Sequence, residues 1–300
     1  MNNFVLRKTK LLLMLSFVIT QISCINNQNY SSGAISNNKL ESLNSLIRSD
    51  RKAFLGKLTA GLESDSEKAN IIVNWLAINF DWRATDYKKR SVQQIIDRGG
   101  GNCNDLAKVA ANLMDSADIK IRKVKEINIH KKSNDRQNSA VALVNKKGLK
   151  YSVFGMMHND HVWIEIYDTI NEEWIPTDPS LGIVGLENWM NCRVAFEKSK
   201  TLDPGSEDMI VPIAIFAQDE NEKLTINRTE YYLIHCFDKI YSNKLSNSPT
   251  WKDWSTLIKE FDDKCLLAFD GKLNLHKYQS EFIALNDLYR NMKIDFENKK

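Results

Sequence analysis

Three consecutive glycines, Gly99, Gly100 and Gly101, lie just ahead of a cysteine, and they constrain this chain more than any other feature. Glycine inside a helix or strand loses backbone entropy and offers no side chain to pack. The triplet therefore predicts a loop in which the backbone turns tightly or passes close to another part of the molecule. The periodicity changes directly afterwards. Leu106, Ala110, Leu113, Met114 and Ala117 recur at helical spacing. Cys103 thus falls where a glycine loop meets a helix N-terminus. Amide N–H groups without intrahelical acceptors and the positive end of the helix dipole stabilise a thiolate at such a place. They also donate to an oxyanion. The same position suits a buried cysteine packed beneath a helix. This stretch alone leaves both readings open.

Residues further along bear on the choice. Val162, Ile164 and Ile166 alternate with His161, Trp163, Glu165 and Tyr167, and Ile175 and Thr177 alternate with Trp174, Pro176 and Asp178. That period of two predicts two strands, with 168–173 turning between them. A turn centred between Thr169 and Ile170 makes His161 and Asp178 direct cross-strand neighbours, with Cβ atoms about 5 Å apart. The aspartate then accepts from one imidazole nitrogen while the other nitrogen faces a thiol. In such a set the histidine takes the thiol proton and later returns it to the leaving group. The aspartate fixes the tautomer and the ring orientation. The Cys103 backbone N–H and the side chain of Trp82 are the candidate oxyanion donors. Glu165 shares the His161 face, either as a site contact or as a satisfied surface charge. His158 reads as a solvated loop residue, with base or substrate contact as its alternatives. His130, His235 and His276 read as structural, and Trp163, Trp174 and Trp189 as core.

Residues 101–107, in which a glycine precedes the cysteine and a helix opens on it, and residues 113–122, which lead into a strand, resemble the transglutaminase-like pattern. Residues 161–167 and 174–179 resemble the histidine and aspartate strands of the same family. The resemblance spans about residues 65–185. It implies a papain-like α+β fold, with N-terminal helices and the nucleophile helix packed on an antiparallel sheet. It also implies thiol acyl-transfer chemistry, with Cys103 as nucleophile, His161 as base and Asp178 as the residue that orients it. One departure is Asp118, Ile119, Lys120 where Gly-Ile-Pro is usual, which is expected to alter only a turn. No calcium-loop spacing is present, and the Cys and His spacings suit no zinc set. No cofactor and no metal are expected.

The rest of the chain is organised around that core. Residues 2–10 are basic, and residues 11–20 are apolar apart from Ser16 and Thr20. The apolar run is short for a membrane span and suits the h-region of a signal peptide. Gln21, Ile22, Ser23 and Cys24 resemble a bacterial lipobox, with Gln21 where an aliphatic residue is usual, so residues 1–23 read as a lipoprotein signal peptide and Cys24 as the lipid-bearing N-terminus, with ordinary secretion and a noncleaved anchor as the alternatives. Residues 24–39, rich in Asn and Ser, read as a flexible tether. Residues 40–184 read as the catalytic domain and 185–300 as a C-terminal extension without a legible motif. Setting aside Arg7, Lys8 and Lys10 brings the 41 basic residues to 38, equal to the acidic count. A near-neutral mature chain does not point to nucleic acid.

Helices are expected over 40–62, from a capping box at Ser64 to residue 80, and over 91–96. Strands are expected over 119–129, 139–144 and 149–154, then over 210–216, 225–226 and 231–237, followed by helices over 251–261 and 275–296. Cys192, Cys236 and Cys265 permit one disulfide whose pairing is not legible. These readings describe a membrane-anchored lipoprotein of the cell envelope, facing the periplasm or the exterior, that attacks an amide or related acyl bond of a peptide or protein substrate. Hydrolysis is favoured over cross-linking, because water is the more available acceptor at an exposed surface. The alternative is a binding module for a peptide or glycan that keeps the fold without its chemistry.

Overall fold

The computed structural model describes residues 37–83, 88–130, 145–146, 160–194, 196, 210–235, 237–239, 245 and 247–298. The signal peptide, Cys24, most of the tether, the strands expected over 139–144 and 149–154, His158 and Cys236 lie outside the described residues. Among the described residues no helix is long and apolar enough to cross a membrane.

The helix expected over 40–62 is two helices, α1 (Asn37–Ser49) and α2 (Arg51–Leu58). Asp50 divides them. Its backbone is extended, at φ −147°, and its side chain accepts from the Ala53 N–H at 3.0 Å, which caps α2 and ends α1. Helix α3 (Asp65–Asn79) opens on Ser64, whose Oγ accepts from the Glu67 N–H at 3.1 Å. A two-residue strand β1 (Asp81–Trp82) follows, then α4 (Val92–Arg98), which a capping box between Ser91 and Gln94 initiates. Strand β2 (Gly100–Gly101) pairs in parallel with β1, and α5 (Cys103–Asp115) begins immediately after. At the turn beyond α5, Asp118 takes φ 58°, a left-handed conformation that aspartate tolerates better than most residues, so the departure from Gly-Ile-Pro keeps the turn.

Among the described residues six strands form one antiparallel sheet in the order β6-β5-β4-β3-β7-β8. They are β3 (Ile121–His130), β4 (Asp160–Asp168), β5 (Glu173–Asp178), β6 (Ile183–Val184), β7 (Ile210–Gln218) and β8 (Leu224–Asn227). Helix α6 (Leu186–Arg193) lies between β6 and β7 in the chain. After β8 come a π-helix (Glu230–His235), α7 (Pro249–Phe269), a 3-10 turn (Leu275–Tyr278) and α8 (Gln279–Asn298). The segment 231–237 is therefore not the strand that its apolar content predicts. Its Tyr232 and Leu233 are buried as neighbours along a wide helical turn rather than alternating across a sheet.

The β4–β5 hairpin differs from expectation in register. Asp168 pairs with Glu173 and Glu165 with Pro176, which centres the turn between Ile170 and Asn171. Asp168 moves the centre. Its Oδ1 accepts from the Ile170 N–H at 2.9 Å and the Asn171 N–H at 3.3 Å, and Glu172 closes the loop at φ 54°. Extending the ladder sets Asp178 level with Trp163, so His161 and Asp178 are diagonal and not direct neighbours. Parity is kept, and both residues remain on one face.

That sheet separates two cores. Val162, Ile164 and Ile166 point to the front, where they pack with Val73 and Leu76 of α3 and with Leu106, Leu113 and Met114 of α5. Trp163 and Val124 point to the back, into a core with Trp189 of α6, Tyr232, Trp254 and Ile258 of α7, and Phe282 and Tyr289 of α8. The architecture is α+β, with the Cys103 helix packed on an antiparallel sheet.

Candidate active site

The glycine loop is shaped by close backbone approach. Gly100 has φ 143°, and a Cβ there would lie 2.0 Å from the Asp81 carbonyl oxygen. A Cβ on Gly101 would lie 2.3 Å from the Cβ of Asp105. No residue with a side chain fits either place without moving the strand or the helix. The loop delivers Cys103 to the first turn of α5, where Asn102 is the N-cap and its Oδ1 accepts from the Asp105 N–H at 3.0 Å. The Cys103 thiol is half-buried. Lys123 of β3 stands close by and donates from Nζ to Asn104 Oδ1 at 2.7 Å. Burial first, then the charges of Lys125 and Lys108, lower the Lys123 pKa, while the charge on Cys103 acts the other way.

His161 stands at the start of β4, and its Nε2 lies 2.6 Å from Asp178 Oδ2. The other aspartate oxygen is fully occupied. Asp178 Oδ1 accepts from the Ser180 backbone N–H at 3.0 Å and from the Ser180 hydroxyl at 2.8 Å. The Cys103 thiol lies near enough to His161 to favour its protonated form. Because Nε2 is engaged by Asp178, Nδ1 is the nitrogen left to serve the thiol. Burial disfavours the imidazolium, but the charge and hydrogen bond of Asp178, helped by the thiol and opposed by Arg193, push the His161 pKa up to about 10. Burial likewise works against the Asp178 carboxylate, yet the His161 charge and hydrogen bond and the Ser180 hydroxyl hold its pKa below the usual value. The imidazole stacks on Trp163, with ring centroids 5.5 Å apart.

Cys103, His161 and Asp178 are thus brought together from α5, β4 and β5. Trp82 is 45% exposed and pairs with Gly101, which puts its strand against the glycine loop before Cys103. Cys24 lies outside the described residues. Glu165 is neither a site contact nor a surface charge. It is fully buried, with Oε2 accepting from Arg122 Nε at 2.6 Å and Oε1 accepting from Arg228 Nε and the Tyr232 hydroxyl at 2.9 Å each. His235 is not structural in the sense expected, since its side chain is exposed beside Glu230. Trp163 and Trp189 are core, whereas Trp174 is half-buried under the Arg122 guanidinium, 4.2 Å from the ring centroid. Cys103 and Cys265 carry free thiols. Among the described residues no group of three or more His, Cys, Asp or Glu is arranged to hold a metal ion.

Residues 52–179 match the model of the transglutaminase-like superfamily. That segment belongs to the transglutaminase-like superfamily. It includes Cys103, His161 and Asp178 and ends one residue before Ser180. No curated protein matches the chain. Among solved structures, a candidate cysteine protease from Cytophaga hutchinsonii aligns at 15% identity over 50% of this chain and 45% of its own, with a TM-score of 0.32. Rad4–Rad23 bound to a 6-4 photoproduct UV lesion aligns at 11% identity over 92% of this chain and 57% of its own, with a TM-score of 0.31. The chain spans about half the length of each, and at these TM-scores neither likeness carries an argument. The family supports a thiol enzyme in general terms.

The transglutaminase-like segment does not contain every group at the site. Ser180 was legible in principle, because an aspartate followed two residues later by serine is a common side-chain-to-backbone turn. Lys123, Glu126 and Arg193 left no such signal. Their positions depend on β3 pairing with β4 and on where α6 packs.

Proposed function

We propose that the protein is an envelope-anchored cysteine hydrolase of transglutaminase-like type, with Cys103 as nucleophile, His161 as general base and acid, and Asp178 as the residue that orients the imidazole. The observation that carries this reading is the 2.6 Å contact between His161 Nε2 and Asp178 Oδ2, on an imidazole near a thiol at a helix N-terminus. In the reaction, the proton shared by Cys103 and His161 rests on the imidazole, whose pKa is raised to about 10, and the thiolate Sγ attacks the acyl carbon. The oxyanion accepts from the Cys103 backbone N–H, one of the first-turn amides that lack an intrahelical acceptor, and Trp82 is the second candidate donor. The C–N bond breaks as His161 returns its proton to the amine, leaving a thioester. Water, deprotonated by His161, then attacks the thioester and releases the acid and the thiolate.

Water is preferred to an amine as acceptor because it is abundant around an exposed surface enzyme. The peptide or protein substrate follows from the family chemistry, and the anchor from the lipobox-like run before Cys24. The deciding experiment is iodoacetamide labelling of the full chain at neutral pH, beside His161→Ala and Asp178→Ala. Labelling of Cys103 much faster than a model thiol, and lost with His161→Ala, supports the enzyme. Labelling no faster than a model thiol overturns it and leaves the binding module for a peptide or glycan. For the anchor, the mature chain is expected to begin at Cys24 and to carry acyl mass. A different N-terminus without acyl mass refutes it.

A further inference from the structure

Glu126 raises a question that the triad alone does not answer. The β3–β4 register puts it directly across from His161, and it is fully buried. A second uncompensated carboxylate beside the buried imidazole would raise its proton affinity further and weaken it as a general acid. Asp178 is the first, so Glu126 needs a compensating charge. Arg193, the last residue of α6, supplies it. Its Nη2 contacts Glu126 Oε1, and the Asn128 amide donates to the same oxygen at 2.9 Å.

We propose that Arg193, which lies outside the transglutaminase-like segment, is a positioning residue of the candidate triad: it neutralises Glu126 so that Asp178 is the one uncompensated carboxylate acting on His161. The inference rests on the catalytic reading above and adds a group from the C-terminal region to it. Glu165 on the same face serves as the comparison. Both its oxygens are bonded, by Arg122 on one side and by Arg228 and Tyr232 on the other, as expected of a strut. Glu126 differs. Among the described residues its Oε2 and the Arg193 Nε are both buried without a hydrogen-bond partner. The pair is therefore poorly built as a strut, and its placement beside His161 is what distinguishes it. Arg193 also acts on the pair itself, disfavouring the imidazolium of His161 and favouring the carboxylate of Asp178. The groups facing the imidazole are then Asp178 from β5, Cys103 from α5, Glu126 from β3 and Arg193 from α6, with the Trp163 ring stacked on it.

The test is the titration of His161 by NMR in the full chain carrying labelled histidine, with the resonance assigned by its loss in His161→Gln. Glu126→Gln leaves the Arg193 charge uncompensated and is expected to lower the proton affinity of His161 by about ten-fold or more. Arg193→Gln leaves Glu126 uncompensated and is expected to raise it by a similar factor. Arg193→Lys keeps the charge and stays near the parent. The double variant Glu126→Gln/Arg193→Gln removes both charges and also returns near the parent, which covers the case where a single variant fails to fold. Two single variants that shift the same way, or a His161 titration that moves in neither, overturn the proposal, as does a double variant displaced from the parent. Iodoacetamide labelling of the parent keeps the two readings apart. A sluggish thiol sinks the catalytic reading, while the His161 titration still reports on Arg193.

Discussion

The front of the sheet and its back bury different chemistry. In front, Val162, Ile164 and Ile166 meet the leucines, isoleucines and valines of α3 and α5, and the large aromatics there are Phe54, Trp75 and Phe80. Behind, the same strands present His161, Trp163 and Glu165, and the core they meet is dense in rings, with Trp189, Tyr232, Phe237, Trp254, Phe261 and Tyr289. The buried carboxylates Glu126 and Glu165 find arginines from this side, Arg193 and Arg228, both beyond the family-matched segment. The front thus contributes the thiol and an oily support for its helix. The back contributes the groups that hold and charge-balance the histidine strand. A site formed where these layers meet depends on both, although one of them carries no motif.

The largest expected effect lies at that junction. Cys103→Ala removes the proposed nucleophile and is expected to abolish the fast phase of thiol labelling and to lower turnover of an amide substrate by about 10⁴-fold or more. Asp178→Asn keeps the shape but donates where a carboxylate accepted, and it is expected to slow labelling by about 10²–10⁴-fold. Labelling that survives Asp178→Asn unchanged would mean that the back of the sheet does not orient the histidine.

Stability tests sharpen the contrast between the layers. Glu165→Ala leaves Arg122, Arg228 and Tyr232 without their shared acceptor and is expected to cost about 3–5 kcal/mol in chemical denaturation. Ile164→Ala, its neighbour facing the front, is expected to cost about 2–5 kcal/mol through cavity formation alone. The two should differ in salt response, because only the first removes a charge. A Glu165→Ala variant as stable as the parent would break the account of the back layer as an electrostatic frame.

The His161–Asp178 pair gives a pH signature with a definite sign. The His161 pKa is raised to about 10, so its contribution is fully present below the unfolded value of 6.5 and is lost as pH rises through about 10. Asp178 is depressed, so its contribution is present above the unfolded value of 3.8 and is lost as pH falls through the folded value. The stability difference between the parent and His161→Ala should therefore be greatest from about pH 4 to 6.5 and shrink on either side. The smallest effect is in the front layer. Asn102→Ala removes the cap on the Asp105 N–H and is expected to cost about 1 kcal/mol, measurable as a lowered Tm.

Local pattern was enough for much of this. The glycine triplet, the 3.6-residue period after Cys103 and the two-residue period around His161 and Asp178 located the Cys103 helix and the hairpin, because each depends on short-range backbone geometry. Parity alone put His161 and Asp178 on one face, and it survived the shift in register that Asp168 imposes through its turn. Elements whose form depends on distant partners were less legible. The segment 231–237 looks like a strand until Tyr232 is seen wedged between Trp163 and Trp189, at 5.4 and 4.7 Å between ring centroids. Glu165 looks like a surface charge until arginines from two other elements close on it.

What the sequence by itself determined is the α+β order of elements, the place of Cys103 at a helix start and the shared face of His161 and Asp178. Only the tertiary structure decided that β7 lies against β3, that Glu126 faces His161 and that α6 brings Arg193 to both. The physical reason is range. Periodicity records which way a side chain points from its own backbone, whereas a charge pair forms only where folding brings separate elements together, and no local pattern encodes that distance.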